Sequence, residues 1–275
     1  MSGSEAGELF RDDPVARPLT YPGTVPGASG VLLGDAYLAL RPEADEPVAD
    51  WAVECAGERT ALAGVLARLG RAPMADRRPV LAVGSNAAPA QLRRKLRSRS
   101  PDSAVPMAVA RVDGIAPGVS AHVSRPGYVP AAPVVAPGRS RLLVLWPDPT
   151  ELEVLDATEP NYRRRPLSVA RHPVTLASGV RLPSCFVYVG RHGCLVDDGG
   201  RPRRLTGQAA LIRALLAESA ALRGLCGTTP EEFVDRVRDP GVREAVKLLL
   251  RDEGRVAVQP EDAWPPARRG GPPES

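Results

Sequence analysis

Asparagine is almost missing from this chain: Asn86 and Asn161 are its only two in 275 residues. Aromatic residues make up just 4%, and of 36 basic residues only Lys95 and Lys247 are lysine. With the abundance of Ala, Pro and Gly, that arginine excess reads as compositional bias and not as a device. The four cysteines, Cys55, Cys185, Cys194 and Cys226, form no C-x-x-C pair and have no clustered histidines, which excludes a structural zinc site and gives no disulfide framework. No stretch approaches the roughly 18 apolar residues of a membrane span, and MSGSEAGELFRDD has no apolar leader region. A net charge of +4 is small for this length, so nothing global demands a nucleic acid or an anionic membrane. These absences predict a soluble, cytoplasmic protein, long enough to bury its own core.

What is present is 30 Pro and 26 Gly, hence many turns. Residues 1–79 read as an amino-terminal extension: Pro-rich segments such as RPLTYPGTVPGASG, a short hairpin in GVLLGDAYLAL, and a helix from Pro47 to Leu69 whose apolar residues fall near helical spacing. Residues 80–200 read as the core. Val80 to Val83 is a buried-strand candidate and Pro89 opens a helix; VPMAVARVDGI, SAHVS, RLLVLW, LSVARH and CFVYVG are further strand candidates. DPTELEVLDATE carries a capping signature, Asp148 then Pro149 and Glu151, and predicts a short helix. Residues 201–264 are helical, with Thr229 and Asp239 as caps, and 265–275 is a disordered tail. Several strands with few, unevenly placed helices indicate an α+β fold with a closed or nearly closed sheet.

Two constellations could carry chemistry. Gly84-Ser85-Asn86 lies between a strand and a helix, where backbone N–H groups and short polar side chains can cradle a carboxylate; by spacing alone, a cap on the following helix from Ser85 or Asn86 is the favoured account. Glu159 follows the short helix and precedes Pro160, which keeps it out of helical geometry. A carboxylate on a stiff turn beside apolar strands is a candidate general base; taken alone, a surface acid paired with Arg163 to Arg165 is the favoured account.

Taken in order, VLAVGSNAAPAQLRRKL and RLLVLWPDPTELEVLDATEPNYRRRPLSV resemble the gamma-glutamyl cyclotransferase-like family over roughly residues 80–190. That family has a Y-G-S-N loop after its first strand and, later, an L-D-x-x-E-G segment followed by a Tyr. The resemblance implies a mixed β-barrel with flanking helices and no metal or cofactor. It makes Val83, Gly84, Ser85 and Asn86 the substrate loop, Glu159 the catalytic acid/base, and Tyr162 and Tyr188 pocket residues. The implied substrate is a small molecule with a free α-amino acid group, converted to 5-oxoproline by attack of its own amine. Val83 stands where the family has Tyr, and Pro160 where it has Gly. Those two departures motivate other readings: a non-catalytic carboxylate-binding protein on the same fold, or a related enzyme acting on another amide in specialised metabolism.

Weaker signals are set against simpler accounts. Ser85 lacks the second Gly of G-x-S-x-G and a placed histidine. His122 is read as a hydrogen-bonded structural histidine, and Asp197-Asp198-Gly-Gly as a turn. RRKLRSRS, YRRRP and RPRR lack interleaved aromatics and read as solvated faces. Arg165 is the exception, since alternation from Arg163 could turn it onto a pocket face where it would grip an anionic substrate.

Overall fold

The computed structural model describes residues 7–55 and 57–265. The expected tail lies outside them except for Pro265. Two long strands, β6 (Ala104–Val119) and β7 (Ala131–Leu145), pair antiparallel over nearly their full length and form the spine of a ten-stranded mixed sheet. On one side β7 pairs with β5 (Val80–Ala82), β5 runs parallel to β10 (Phe186–Gly190), and β10 pairs with β8 (Tyr162–Pro166). On the other, β6 takes β1 (Gly30–Leu33), followed outward by β2 (Ala36–Arg41), β3 (Ala52–Cys55) and β4 (Glu58–Ala61), while β9 (Val174–Leu176) pairs with β6 further along.

The expected α+β class is what forms, but the sheet is open, not a closed barrel. Strands from the first 79 residues extend it outward past β6, so that its path ends on β4 and β8. The hairpin in GVLLGDAYLAL forms as β1–β2. The helix over 47–69 does not: only α1 (Leu62–Arg68) is α-helical, besides one 3-10 turn at Val48–Asp50. Trp51 and Val53, two apart, are both buried, and Glu54 pairs with Ala39 while Gly57 turns the chain at φ 86° into β4. The period there is that of a strand. LSVARH is likewise a turn, with Arg171 and His172 donating their N–H groups to the Ser168 carbonyl; the strand is the arginine-rich YRRRP just before it. SAHVS contributes a single bridge, at Ser120.

Helix α2 (Pro89–Leu96) packs on the α3 helix (Pro149–Thr158), and the two bring their ends to the same side of the sheet. The capping box of α3 is complete: Glu151 N–H donates to Asp148, and Asp148 N–H donates back to Glu151. Glu151 is fully buried and also accepts from Ala104 N–H at 2.7 Å and from Arg77, whose guanidinium donates in addition to the Ala104 and Trp146 carbonyls at 2.8 Å. This buried node ties the chain before β5 to the start of α3. Beyond it lie β11 (Cys194–Leu195) and helices α4 (Gln208–Glu218), α5 (Ala220–Cys226), α6 (Pro230–Arg236) and α7 (Pro240–Asp252), then β12 (Val256–Ala257). Thr229 and Asp239 cap α6 and α7 as their sequences require, and Ser219 splits α4 from α5 by capping the latter. No helix among the described residues is long and apolar enough to cross a membrane.

Candidate functional site

Strand β5 ends at Ala82, and residues Ser85–Ala87 form one 3-10 turn before α2 begins at Pro89. Neither Ser85 nor Asn86 caps α2: the cap position is Ala88, with no side-chain bond. The loop instead forms one wall of a cavity of about 450 Å³. Within the turn Ala87 and Ala88 N–H donate to the Gly84 and Ser85 carbonyls, the Ser85 N–H is turned toward the Tyr21 hydroxyl, and the Asn86 N–H has no acceptor among the described residues. Gly84 has a negative φ, at φ −138° and ψ −139°, so it takes no left-handed backbone, and the space around it is tight. A Cβ there would sit 2.6 Å from the Tyr21 hydroxyl and 2.8 Å from the Ala131 methyl.

Glu159 stands on the opposite wall. Helix α3 ends at Thr158, and Glu159, Pro160, Asn161 and Tyr162 make a turn closed by Tyr162 N–H donating to the Glu159 carbonyl at 3.0 Å. Proline suits the second position of such a turn, where its fixed φ is the required one. The glycine expected from the resemblance is therefore not needed for this geometry. The Glu159 side chain is 13% exposed and reaches across to the loop: Asn86 Nδ2 donates to Oε1 at 3.0 Å, and Lys95 Nζ donates to the same oxygen at 2.5 Å. Lys95 also donates to Asn86 Oδ1 at 2.7 Å, closing a triangle. Oε2 of Glu159 has no hydrogen-bond partner among the described residues.

Tyr162 and Tyr188 line the same cavity as Val83, Gly84, Ser85, Asn86 and Glu159. Their hydroxyls are already engaged: Tyr188 donates to Asp156 Oδ1 at 2.8 Å, and Tyr162 to the Ala131 carbonyl at 2.7 Å. The Ala131 N–H in turn donates to Tyr21 Oη at 2.9 Å, and the Tyr21 ring stacks on Tyr128 with centroids 4.2 Å apart. Burial raises the pKa of all four phenols, leaving them neutral hydrogen-bonding walls. His122 lines the cavity as well; its Nδ1 is 2.7 Å from Ser120 Oγ, and burial, followed by the neighbouring His192, lowers its pKa to about 3. Arg94 and Arg125 stand exposed at the rim.

Arg165 is not among these residues. In β8 the side chains alternate, so Tyr162 and Arg164 share a face, Arg164 pairing with Asp156, while Arg163 and Arg165 turn to the other. The alternation that was to bring Arg165 into the pocket carries it away from Tyr162, into a separate cavity.

Sequence reasoning missed Tyr21, Tyr128 and Lys95. Tyr21 comes from the amino-terminal extension, and its hydroxyl abuts the loop that Val83 leaves without one. One signal was available, namely scarcity. Both asparagines, four of the five tyrosines and one of the two lysines line this one cavity.

No family model matches the chain, and no curated protein matches it. Solved structures resembling it include a gamma-glutamyl cyclotransferase. That structure is 15% identical, over 62% of this chain and 99% of its own, with a TM-score of 0.33. An Arabidopsis thaliana protein solved in solution is 17% identical over 71% and 95% (TM-score 0.34), and an uncharacterized human protein is 20% identical over 42% and 67% (TM-score 0.33). Such likeness concerns the fold; chemistry has to come from the cavity.

Proposed function

We propose that the protein is a gamma-glutamyl cyclotransferase-like enzyme that releases 5-oxoproline from a γ-glutamyl amine or peptide. The observation that carries this reading is Glu159 lining the same cavity as Gly84-Ser85-Asn86, with Asn86 and Lys95 holding its Oε1 and its Oε2 without a hydrogen-bond partner among the described residues. The Asn86 N–H and Lys95 would fix the substrate's α-carboxylate. Glu159 would accept a proton from the α-ammonium and release it to solvent; the freed amine attacks the side-chain carbonyl and a five-membered lactam N–C bond forms, Glu159 takes the second proton that the ring nitrogen then sheds, and it delivers that proton to the leaving nitrogen as the γ-amide C–N bond breaks. Well-oriented intramolecular attack supplies on the order of 7–11 kcal/mol, and a placed acid/base adds about 10²–10⁴-fold. No step of this route calls for a metal or cofactor.

The 2.5 Å contact between Lys95 and Glu159 favours a second reading, a carboxylate-binding protein without turnover, because an ion pair occupies part of the base. Incubating the purified chain with a panel of γ-glutamyl amines and peptides separates the two. Turnover predicts 5-oxoproline from at least one of them and its loss in Glu159→Gln. Tight binding of the panel without product, unchanged in Glu159→Gln, would establish the second reading.

A further inference from the structure

Behind β8 lies a second cavity of about 490 Å³ that shares no lining residue with the first. Arg163, Arg165, Arg191 and Arg251 border it, against the single carboxylate of Glu261. Among the described residues none of these four arginines makes an ion pair; the Arg191 guanidinium donates only to the Tyr162 carbonyl, at 3.0 Å. His192, also on this wall, is kept neutral mainly by burial, then by Lys247 and Arg251, so it adds no charge. Four guanidinium groups lining one cavity outnumber the single carboxylate in it, and an anion would bring the charges closer to balance.

A second, independent feature points the same way. Gln259 and Trp264 line this cavity at 8% and 4% exposure, and among the described residues neither the Gln259 amide nitrogen and oxygen nor the Trp264 indole nitrogen has a hydrogen-bond partner. Native proteins leave few buried polar groups unpaired, and each such group costs about 1–3 kcal/mol. A primary amide with both donor and acceptor free matches a ligand edge that offers the complementary pair. Ordered water would satisfy the amide but would leave the arginines uncompensated.

We propose that this cavity binds a small, multiply charged anion, phosphate- or carboxylate-based, through Arg163, Arg165, Arg191 and Arg251, with Gln259 and Trp264 pairing its uncharged polar part. Guanidinium forks recognise both oxyanions in the same bidentate manner, so the probes must tell the sources apart. Isothermal titration of the full chain with inorganic phosphate, adenosine 5′-monophosphate and citrate provides that test. At least one probe should bind one to one and weaken as salt is raised. Phosphate or the nucleotide binding alone would mark a phosphate site, citrate alone a carboxylate site. Affinity should fall about tenfold or more in the double variant Arg163→Ala/Arg165→Ala and in Arg251→Ala, and remain in Glu159→Gln. Arg163 and Arg251 are exposed and Arg165 half-buried, so these changes spare the core. Absence of binding by all three probes overturns the proposal. So does binding that survives both arginine variants but disappears in Arg94→Ala/Arg125→Ala, which would place the anion at the rim of the first cavity.

Discussion

The two ends of helix α3 each set a glutamate beside a cation, and they treat it in opposite ways. At the start, Glu151 is fully buried, and both carboxylate oxygens are used by the N–H groups of Ala104 and Asp148 and by Arg77. Burial pushes its pKa upward, and nothing can approach it. Just past the other end, Glu159 meets Lys95 and Asn86 through one oxygen and leaves the second open to a cavity. Saturation makes a carboxylate structural, whereas a vacant lone pair beside an enclosed space leaves it able to move a proton. Residue type and charge partner alone do not distinguish the two.

A pair of isosteric changes tests the contrast most directly. Glu159→Gln should lower 5-oxoproline release by about 10²–10⁴-fold while leaving the urea midpoint near that of the parent chain. Glu151→Gln should do the reverse. Its amide would set an N–H against one of two backbone donors and leave the buried Arg77 only the more distant Asp148 carboxylate at 4.0 Å, costing about 3–5 kcal/mol, with kcat per folded molecule unchanged. If both variants lose activity and stability together, the contrast between the two ends fails.

The dryness of the cavity can be probed through His122. Its folded pKa of about 3 lies below the ordinary 6.5, so folding favours the neutral ring. The stability this contributes is complete above pH 6.5 and is lost as pH falls toward 3. Melting temperature should therefore decline over that interval, and His122→Gln should flatten the decline. An NMR titration placing His122 near 6.5 would show the Glu159 end to be wet.

Smaller effects sharpen the picture. Tyr21→Phe keeps the ring on Tyr128 but strips the Ala131 N–H of its acceptor, so about 1–3 kcal/mol of stability should go, with a rise in KM; an unchanged KM would reduce Tyr21 to packing. Pro160→Gly should cost only about 0.4–1 kcal/mol through the unfolded chain and spare kcat, since the turn takes no positive φ there. A collapse of kcat would mean that this proline aims Glu159.

Local chemistry was legible in the sequence and distant chemistry was not. Asp148, Pro149 and Glu151 announce the start of α3, Thr229 and Asp239 the later helices, and the run into Gly84-Ser85-Asn86 the loop, because capping and turn preferences act over three or four residues. Lys95 and Glu159 are 64 positions apart and Tyr21 and Ala131 are 110 apart, beyond any periodicity. Facing was lost on β8, where alternation gives two faces without saying which is inward, and at Trp51 to Ala61, where apolar spacing suits a helix or a hairpin until β2 supplies a partner. Closure of the sheet was not legible either, because it depends on where strands from residues 30–61 add.

The hydrogen bond from Ala131 to Tyr21 has a consequence in time. Joining segments so far apart closes a long loop, an event that comes late when nearer strands can pair first. β6 and β7, joined directly through residues 120–130, can zip early; the tyrosine wall is fitted onto a sheet that already exists. A nascent or partly unfolded chain would therefore hold most of its secondary structure around a breached chamber. Along a denaturant series turnover should fade before circular dichroism does, so that the first property this protein loses is the enclosure and not the scaffold.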